Sequence, residues 1–218
     1  MRIRRAYYDL FSHVYDRVIA MHSGDATAAA RDFLVERAGV EPGSRVLDLC
    51  TGTGAVALRA QQAVGPGGFV VGLDFSGGMI RKAQEKACLM HLESIAFVVG
   101  DAAHLPFATA SFDAVSCSHA MYELNGRVRD ELLREARRVL RPGGRFVMME
   151  HCEPRRPLPR LLYRVRLSAL GSSANREFAR DELPFLRRFF GDVGRELSPT
   201  GRSKLIHGVK HEDVAAAG

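Results

Sequence analysis

The sequence predicts an α/β fold in which helices cover both faces of a doubly wound, mostly parallel sheet. Short apolar runs of strand length alternate with segments of helical periodicity, and stretches rich in glycine and proline separate them. The chain has 218 residues, of which 46% are hydrophobic and 26% are charged. That length and composition suit one globular domain with a sizeable core.

The first half of the predicted sheet consists of three strands joined by helices. These strands are predicted at residues 45–50, 69–75 and 95–99. A helix over 55–63 is expected to stop at the glycine-proline stretch 65–68. Ser76 is a residue type that caps helices, so the next helix is expected to begin directly after it.

The second half is expected to continue the same alternation. Strands are predicted at 112–116 and 145–150, and the helix between them is expected to end at Arg141-Pro142-Gly143-Gly144. A strand pair is predicted within 192–210, around the turn Pro199-Thr200-Gly201. No linker divides the chain, so we expect a single domain over residues 1–218. Its predicted parts are an N-terminal helical cap at 1–40, a core at 41–151, a helical insertion at 152–190 and a C-terminal strand pair at 191–212.

Charge and cysteine usage limit the possible partners and compartments. The net charge of +6 permits an anionic partner without requiring one. The four cysteines have no CxxC spacing, which argues against a structural zinc site and a disulfide framework. Because no signal-peptide pattern or membrane-spanning apolar run is present, we expect a cytoplasmic protein with reduced thiols and no bound metal.

The most informative segment is VLDLCTGTG at residues 46–54, where a strand carrying Asp48 opens into a glycine loop and then a helix. Glycines let a ligand approach the backbone closely, and the helix amides offer hydrogen-bond donors. Residues 52–57 also fit GxGxxA, the dinucleotide fingerprint. Asp74 ends the next strand about 20 residues later, where it can accept hydrogen bonds from the ribose of an adenosine ligand. The alternative for Asp74 is a cap of the helix near Ser76.

Three features favour a ligand other than a dinucleotide. Asp48 precedes the loop glycines at a position where dinucleotide folds usually carry an apolar residue, and its carboxylate can engage a ligand ammonium through bound groups or water. Asp101, in GDAAHLPF, ends the third strand and is placed to accept from an adenine amino group. LRPGGRF, at residues 140–146, leads into the fifth strand.

Together, VLDLCTGTG, VVGLDFS, GDAAHLPF and LRPGGRF resemble the class I S-adenosylmethionine-dependent methyltransferases, over residues 45–150. Within them the chain resembles the ubiquinone/menaquinone C-methyltransferase-like group, through Phe11-Ser12, Tyr15-Asp16 and residues 150–154. The resemblance implies a Rossmann-like, doubly wound seven-stranded sheet, mostly parallel with an antiparallel last strand. It also implies S-adenosyl-L-methionine as cofactor and a small-molecule or lipid-like acceptor, with a quinone-type acceptor as one candidate.

The resemblance implies cofactor contacts by position. Asp48, Gly52 and Gly54 would line the methionine end of the cofactor, with Thr51 in the same loop. Asp74 would bind the ribose. The remaining expected contacts are Phe75, Asp101 and Ala102 at the adenine, Cys117 and Ser118 on the acceptor side, and Tyr15 on an N-terminal helix that closes over the cofactor. For Tyr15 the alternative is aromatic packing in the core.

Catalytic candidates follow the fourth and fifth strands. His119 is the candidate general base, because an acceptor would enter there and an imidazole pKa near 6.5 suits proton transfer at neutral pH. Its alternative is a structural, hydrogen-bonded histidine. Tyr122 is a candidate for orienting the acceptor, and packing is the alternative. His151 is expected at the same edge by position alone.

Residues 155–166 contain five arginines and no acid, with apolar residues on one helical face. Such a helix makes peripheral contact with an anionic membrane, or packs on its own domain with its arginines in solvent. Nucleic acid is disfavoured as a partner, because aromatic residues do not interleave with the basic ones. Two other functions stay open, namely an NAD-dependent oxidoreductase and a non-catalytic S-adenosylmethionine-binding protein.

Overall fold

The predicted alternation of strands and helices is present in the computed structural model, which describes residues 29–153, 161 and 181–212. Its elements are α1 (Ala29–Arg37), β1 (Arg45–Leu49), α2 (Ala55–Val64), β2 (Phe69–Asp74), α3 (Gly77–Leu89), β3 (Ile95–Val99), β4 (Phe112–Ser118), a 3-10 turn (Met121–Glu123), α4 (Gly126–Val139), β5 (Leu140–His151), α5 (Leu183–Leu186), β6 (Gly191–Leu197) and β7 (Ser203–Val209). Residues 1–28 of the predicted N-terminal cap, which include Tyr15, lie outside the described residues, as does the basic segment 155–166 apart from Leu161.

The sheet has seven strands in the order β3-β2-β1-β4-β5-β7-β6. β1 pairs in parallel with both β2 and β4, whereas β7 runs antiparallel to β5 and β6. The prediction of a mostly parallel, doubly wound sheet with an antiparallel last strand is therefore confirmed. The direction of winding reverses between β1 and β4, and ligands of such sheets bind at that point, beyond the carboxyl ends of the strands.

Each face of the sheet buries its own hydrophobic core. On one face, which we call the α1–α2 face, Val46, Ala114, Val147 and Met149 pack beneath helices α1 and α2. On the opposite α4–α5 face, the intervening residues of the same strands pack beneath α4 and α5. They include Leu47, Val115, Phe146 and Met148. Because successive strand residues alternate between faces, Asp48 lies on the α1–α2 face with Val46.

The start of β5 differs from the prediction. We expected residues 141–144 to end the preceding helix and a strand to begin at Arg145. Instead α4 ends at Val139, and Leu140 already pairs with Phe112 across a register shift. The backbone of Gly143 and Gly144 is hydrogen-bonded to the backbone of Lys210, which draws this glycine pair into the strand. The contact comes from the far end of the chain, so the local turn signal gave the wrong boundary.

Two local predictions are confirmed. Ser76 caps α3, since its hydroxyl accepts a hydrogen bond from the Met79 amide. β6 and β7 form the predicted strand pair, with the turn at Pro199-Thr200-Gly201 between them. Among the described helices, none combines the length and the apolar character needed to cross a bilayer.

Candidate active site

The glycine loop after β1 is held by a buried carboxylate. Asp48 accepts a 2.6 Å hydrogen bond from the Thr51 hydroxyl and a 2.7 Å hydrogen bond from the Ser116 hydroxyl of β4. Burial raises the pKa of Asp48 to about 6, although these hydrogen bonds act in the opposite direction. The side chain therefore joins β1, the loop and β4 at the point where the winding of the sheet reverses.

Asp74, at the end of β2, holds the same loop from the other side. One of its carboxylate oxygens accepts from the Gly52 amide and the other from the Ser76 amide, each at 2.9 Å. Asp74 therefore contacts the backbone at the start of α3, as expected if it helped to cap that helix. The side chain that caps α3 is nevertheless that of Ser76. Each carboxylate oxygen can accept more than one hydrogen bond, so these contacts leave acceptor capacity for a ligand.

Two glycines are required by the geometry of the loop. Gly54 has φ +82°, and a Cβ there would lie 3.0 Å from the side chains of Ala83 and Phe97. A Cβ at Gly72 of β2 would lie 2.6 Å from Phe97 and 2.9 Å from the Thr51 hydroxyl oxygen. The backbone here is thus packed so closely that side chains are excluded around the loop.

The residues expected at the adenine follow β2 and β3. Asp101 accepts a hydrogen bond from the Ala103 amide, and its other oxygen lies 3.5 Å from Nδ1 of His104. Its side chain is 42% exposed, so this carboxylate is open to a ligand. Ala102 packs against the α4–α5 core, and Phe75 is half-buried next to Asp74.

The candidate residues at the end of β4 divide between the two faces. Cys117 is fully buried in the α4–α5 core, and its side chain lies beside that of Cys50, whose hydrogen bond, together with burial, raises the pKa of the Cys117 thiol. Ser118 follows Ser116 on the α1–α2 face, and its hydroxyl lies 2.9 Å from Nδ1 of His119. Ser118 and His119 therefore continue the surface that begins at Asp48.

His119 has a strained backbone and a packed imidazole. Its φ is +55°, which is uncommon for a residue other than glycine and is often found at functional sites. The ring centroid lies 4.1 Å from that of His151, and Nε2 lies 3.4 Å from the Ser203 hydroxyl. Burial, then the charges of His151 and Arg31, lower the pKa of His119 to about 3. The expected pKa near 6.5 is therefore wrong, and the imidazole is neutral at pH 7.

Tyr122 lies in a different cluster, on the α4–α5 face. Its hydroxyl donates a hydrogen bond to the fully buried carboxylate of Glu182, which also forms ion pairs with Lys204 and Arg195. The neighbouring Glu150 accepts a 2.7 Å hydrogen bond from the Met121 amide, and burial raises its pKa to about 8. The structure therefore does not bring Tyr122 together with His119.

Several of these residues had no signal in the sequence. Ser116 and Glu182 stand in apolar or mixed surroundings without a motif, and Arg31 lies in a helix that carries none. Glu150 was singled out only as the first residue of the segment 150–154, with no role assigned to it. A buried strand that carries a serine, or ends on a glutamate, is the one hint available. The structure brings together the predicted set Asp48, Thr51, Gly52, Gly54 and Asp74 at the loop, and Ser118 and His119 at the end of β4.

Comparison with known proteins identifies the fold and the family. A model of the ubiE/COQ5 methyltransferase family matches residues 3–183. The chain is 31% identical to a demethylmenaquinone methyltransferase from Staphylococcus aureus (strain JH9), across 97% of this chain and 94% of that protein. It shares its fold with a SAM-dependent methyltransferase from Aquifex aeolicus, with a TM-score of 0.67, 18% identity, and coverage of 85% of this chain and 94% of that one.

A second solved structure shares the fold. It is phosphoethanolamine N-methyltransferase 2 from Haemonchus contortus, in complex with S-adenosyl-L-methionine, with a TM-score of 0.62, 18% identity, and coverage of 84% of this chain and 52% of that one. The residues at the edge of this sheet fit that cofactor, because Asp74 and Asp101 offer carboxylate oxygens and the loop at Gly54 excludes side chains. The chain is an S-adenosylmethionine-dependent methyltransferase, and it belongs to the ubiE/COQ5 methyltransferase family.

Proposed function

We propose that this enzyme transfers a methyl group from S-adenosylmethionine to a ring carbon of a reduced, quinone-type hydroxyaromatic acceptor. The observation that carries the proposal is the match to a demethylmenaquinone methyltransferase over 97% of this chain. That match extends beyond the motifs of the core into the segments that precede and follow them in the sequence. Specificity for an acceptor is determined by such a site and not by the fold.

The loop residues and the ends of β2 and β3 form the proposed cofactor site. Asp74 would bind the ribose hydroxyls, since it already orients the loop through the Gly52 amide and retains acceptor capacity. Asp101 would accept from the adenine amino group, with Phe75 and Ala102 beside the ring. Asp48 would act through Thr51, holding the loop against the methionine end of the cofactor.

The acceptor is proposed to bind beyond β4 and β5, on the α1–α2 face. S-adenosylmethionine supplies an electrophilic methyl group on a sulfonium, so the protein contributes mainly orientation and exclusion of water. A histidine with a pKa of about 3 is a poor proton acceptor at neutral pH. We therefore assign His119 a positioning role through hydrogen bonding, in place of the general-base role expected from the sequence.

Tyr122 is proposed to support the site from the opposite face. Its hydroxyl is bound by Glu182, and the turn that carries it is held by Glu150. The N-terminal segment that carries Tyr15 and the insertion at 152–190 are proposed to flank the acceptor. The arginines of 155–166 would bring the enzyme to a membrane that holds a lipid-like acceptor, from the cytoplasmic side.

A methyl-transfer assay tests the proposal. Purified enzyme is incubated with methyl-labelled S-adenosylmethionine and a chemically reduced demethylnaphthoquinone, and label is counted in the organic extract. We expect enzyme-dependent label in that extract, and at least about a 100-fold lower rate with Asp74→Ala, which would lose a carboxylate contact to the ribose. An organic extract without enzyme-dependent label would contradict the proposed acceptor. Turnover with NAD alone would contradict the reaction itself.

A further inference from the structure

Arg31 is a half-buried cation near the proposed acceptor site. It lies on α1, where its neighbour Ala30 is buried in a core that also contains Met149 of β5 and Leu205 of β7. Within the part of the chain that the structure describes, its guanidinium has no ion pair or hydrogen bond. Other arginines of these helices do have carboxylate partners: Arg37 pairs with Glu196 and Arg59 with Asp32. The local helix packing therefore leaves the charge of Arg31 available to a ligand.

The charge of Arg31 acts at His119, whose backbone amide donates a hydrogen bond to the carbonyl of Met149 in that same core. Arg31 and His151 are the charged or titratable groups that act on His119, and both are basic. The imidazoles of His119 and His151 lie 4.1 Å apart between centroids, and Ser203 is the Cα partner of His151 across the sheet. The field at this position is positive, and the neutral imidazole of His119 next to it can donate an N–H hydrogen bond.

A positive field with neutral donors suits an anionic oxygen. Burial, together with the charges of His151 and Arg31, keeps His119 neutral, so the site holds one permanent cation beside a neutral imidazole that can donate a hydrogen bond. The backbone of His119 has φ +55°, and its ring packs against that of His151 with 4.1 Å between centroids. Ser118 precedes His119 on the face that carries Asp48, so the donors adjoin the end of the proposed cofactor site.

We infer that Arg31, His119 and His151 form a binding site for the ionised ring oxygen of the acceptor, an inference that rests on the proposed function. An acceptor bound as a phenolate-type anion needs no protein base, because its oxygen has already lost the proton to water. The ring carbon then forms a bond to the methyl carbon while the carbon–sulfur bond breaks, leaving its electron pair on sulfur. The ring proton leaves to water and aromaticity is restored.

Binding of a non-reacting anion tests the inference separately from turnover. The probe is 2-hydroxy-1,4-naphthoquinone, which is an anion at neutral pH, and neutral 1,4-naphthoquinone is its uncharged counterpart. Calorimetry with S-adenosylhomocysteine present gives Kd for each probe with wild type, Arg31→Met, Arg31→Lys and the matched control Arg59→Met. We expect Arg31→Met to bind the anion at least about 10-fold more weakly, with partial recovery in Arg31→Lys.

Three results would overturn the inference. The first is a Kd for the anion that is unchanged in Arg31→Met. The second is a loss of affinity in Arg31→Met that is equally large for the neutral probe and for S-adenosylhomocysteine. The third is a wild-type enzyme that binds the anion no more tightly than the neutral probe. The first two results in an enzyme that methylates quinols would refute the anion site while leaving the proposed function intact. Conversely, anion binding that depends on Arg31 in an enzyme inactive on quinols would refute the proposed function alone.

Discussion

Substitution of Glu150 by glutamine is expected to stabilise the protein at neutral and alkaline pH, and to leave its stability in acid almost unchanged. Glu150 is only 2% exposed, and its Oε1 accepts a hydrogen bond from the Met121 amide. Burial raises its pKa from 4.5 to about 8, although the amides of Met121 and Tyr122 favour the charged form. Glutamine keeps the acceptor oxygen and cannot ionise, so it removes the cost of the charge alone.

The direction of the effect follows from proton linkage. Below pH 4.5 the carboxyl of Glu150 is neutral in both the folded and the unfolded chain, and it causes no loss of stability. Between this value and about pH 8 only the unfolded chain releases the proton, so the free energy of unfolding falls by about 1.4 kcal/mol per pH unit. The loss reaches about 3 kcal/mol at pH 7 and levels off once the folded-state pKa is passed.

Urea denaturation at several pH values measures the difference between wild type and Glu150→Gln. We expect the difference in unfolding free energy to be near zero at about pH 4 and to rise by about 3 kcal/mol by about pH 7. The exposed Glu93 provides the matched control, and Glu93→Gln should differ from wild type by a small, constant amount. A difference for Glu150→Gln that does not vary with pH, or that favours wild type as pH rises, would show that Glu150 does not have a raised pKa in the folded protein.

Two further substitutions test the loop and the buried ion cluster. Gly54→Ala should cost about 1–2 kcal/mol of stability and weaken S-adenosylhomocysteine binding, because φ is +82° and Phe97 lies 3.0 Å from the added Cβ. Gly67→Ala is the control, because a Cβ at Gly67 makes no such close contact. Calorimetry should show neither effect for Gly67→Ala. Glu182→Ala should lower the free energy of unfolding by about 3–5 kcal/mol, because Lys204, whose side chain is only 13% exposed, loses a counter-ion. Little change in urea denaturation would show that the cluster contributes no stability.

The strands and the glycine loop could be predicted because their signals are local. β1 and β2 are almost completely buried and β3 is half-buried at the edge of the sheet, so each shows as a largely apolar run. Glycines follow each of these strands and mark where it ends. The cap at Ser76 and the carboxylate at the end of β2 likewise depend on a few adjacent residues. The residues that follow the motifs could therefore be placed at one edge of the sheet.

Interactions between distant residues could not be predicted in the same way. Asp48 meets Ser116 over a separation of 68 residues, and Tyr122 meets Glu182 over 60. The low pKa of His119 arises from burial and from Arg31, whose position depends on how α1 packs. The sequence thus indicated which edge carries the chemistry, while the charge state of each group there is set by tertiary packing.

The most direct test of this account is a crystal structure of the enzyme with S-adenosylhomocysteine and 2-hydroxy-1,4-naphthoquinone. We predict the ribose at Asp74, the cofactor sulfur facing Ser118 and His119, and the ionised oxygen of the naphthoquinone bound by Arg31. Adenosine bound at any other edge of the sheet, or a naphthoquinone whose ionised oxygen points away from Arg31 and the two histidines, would contradict this account.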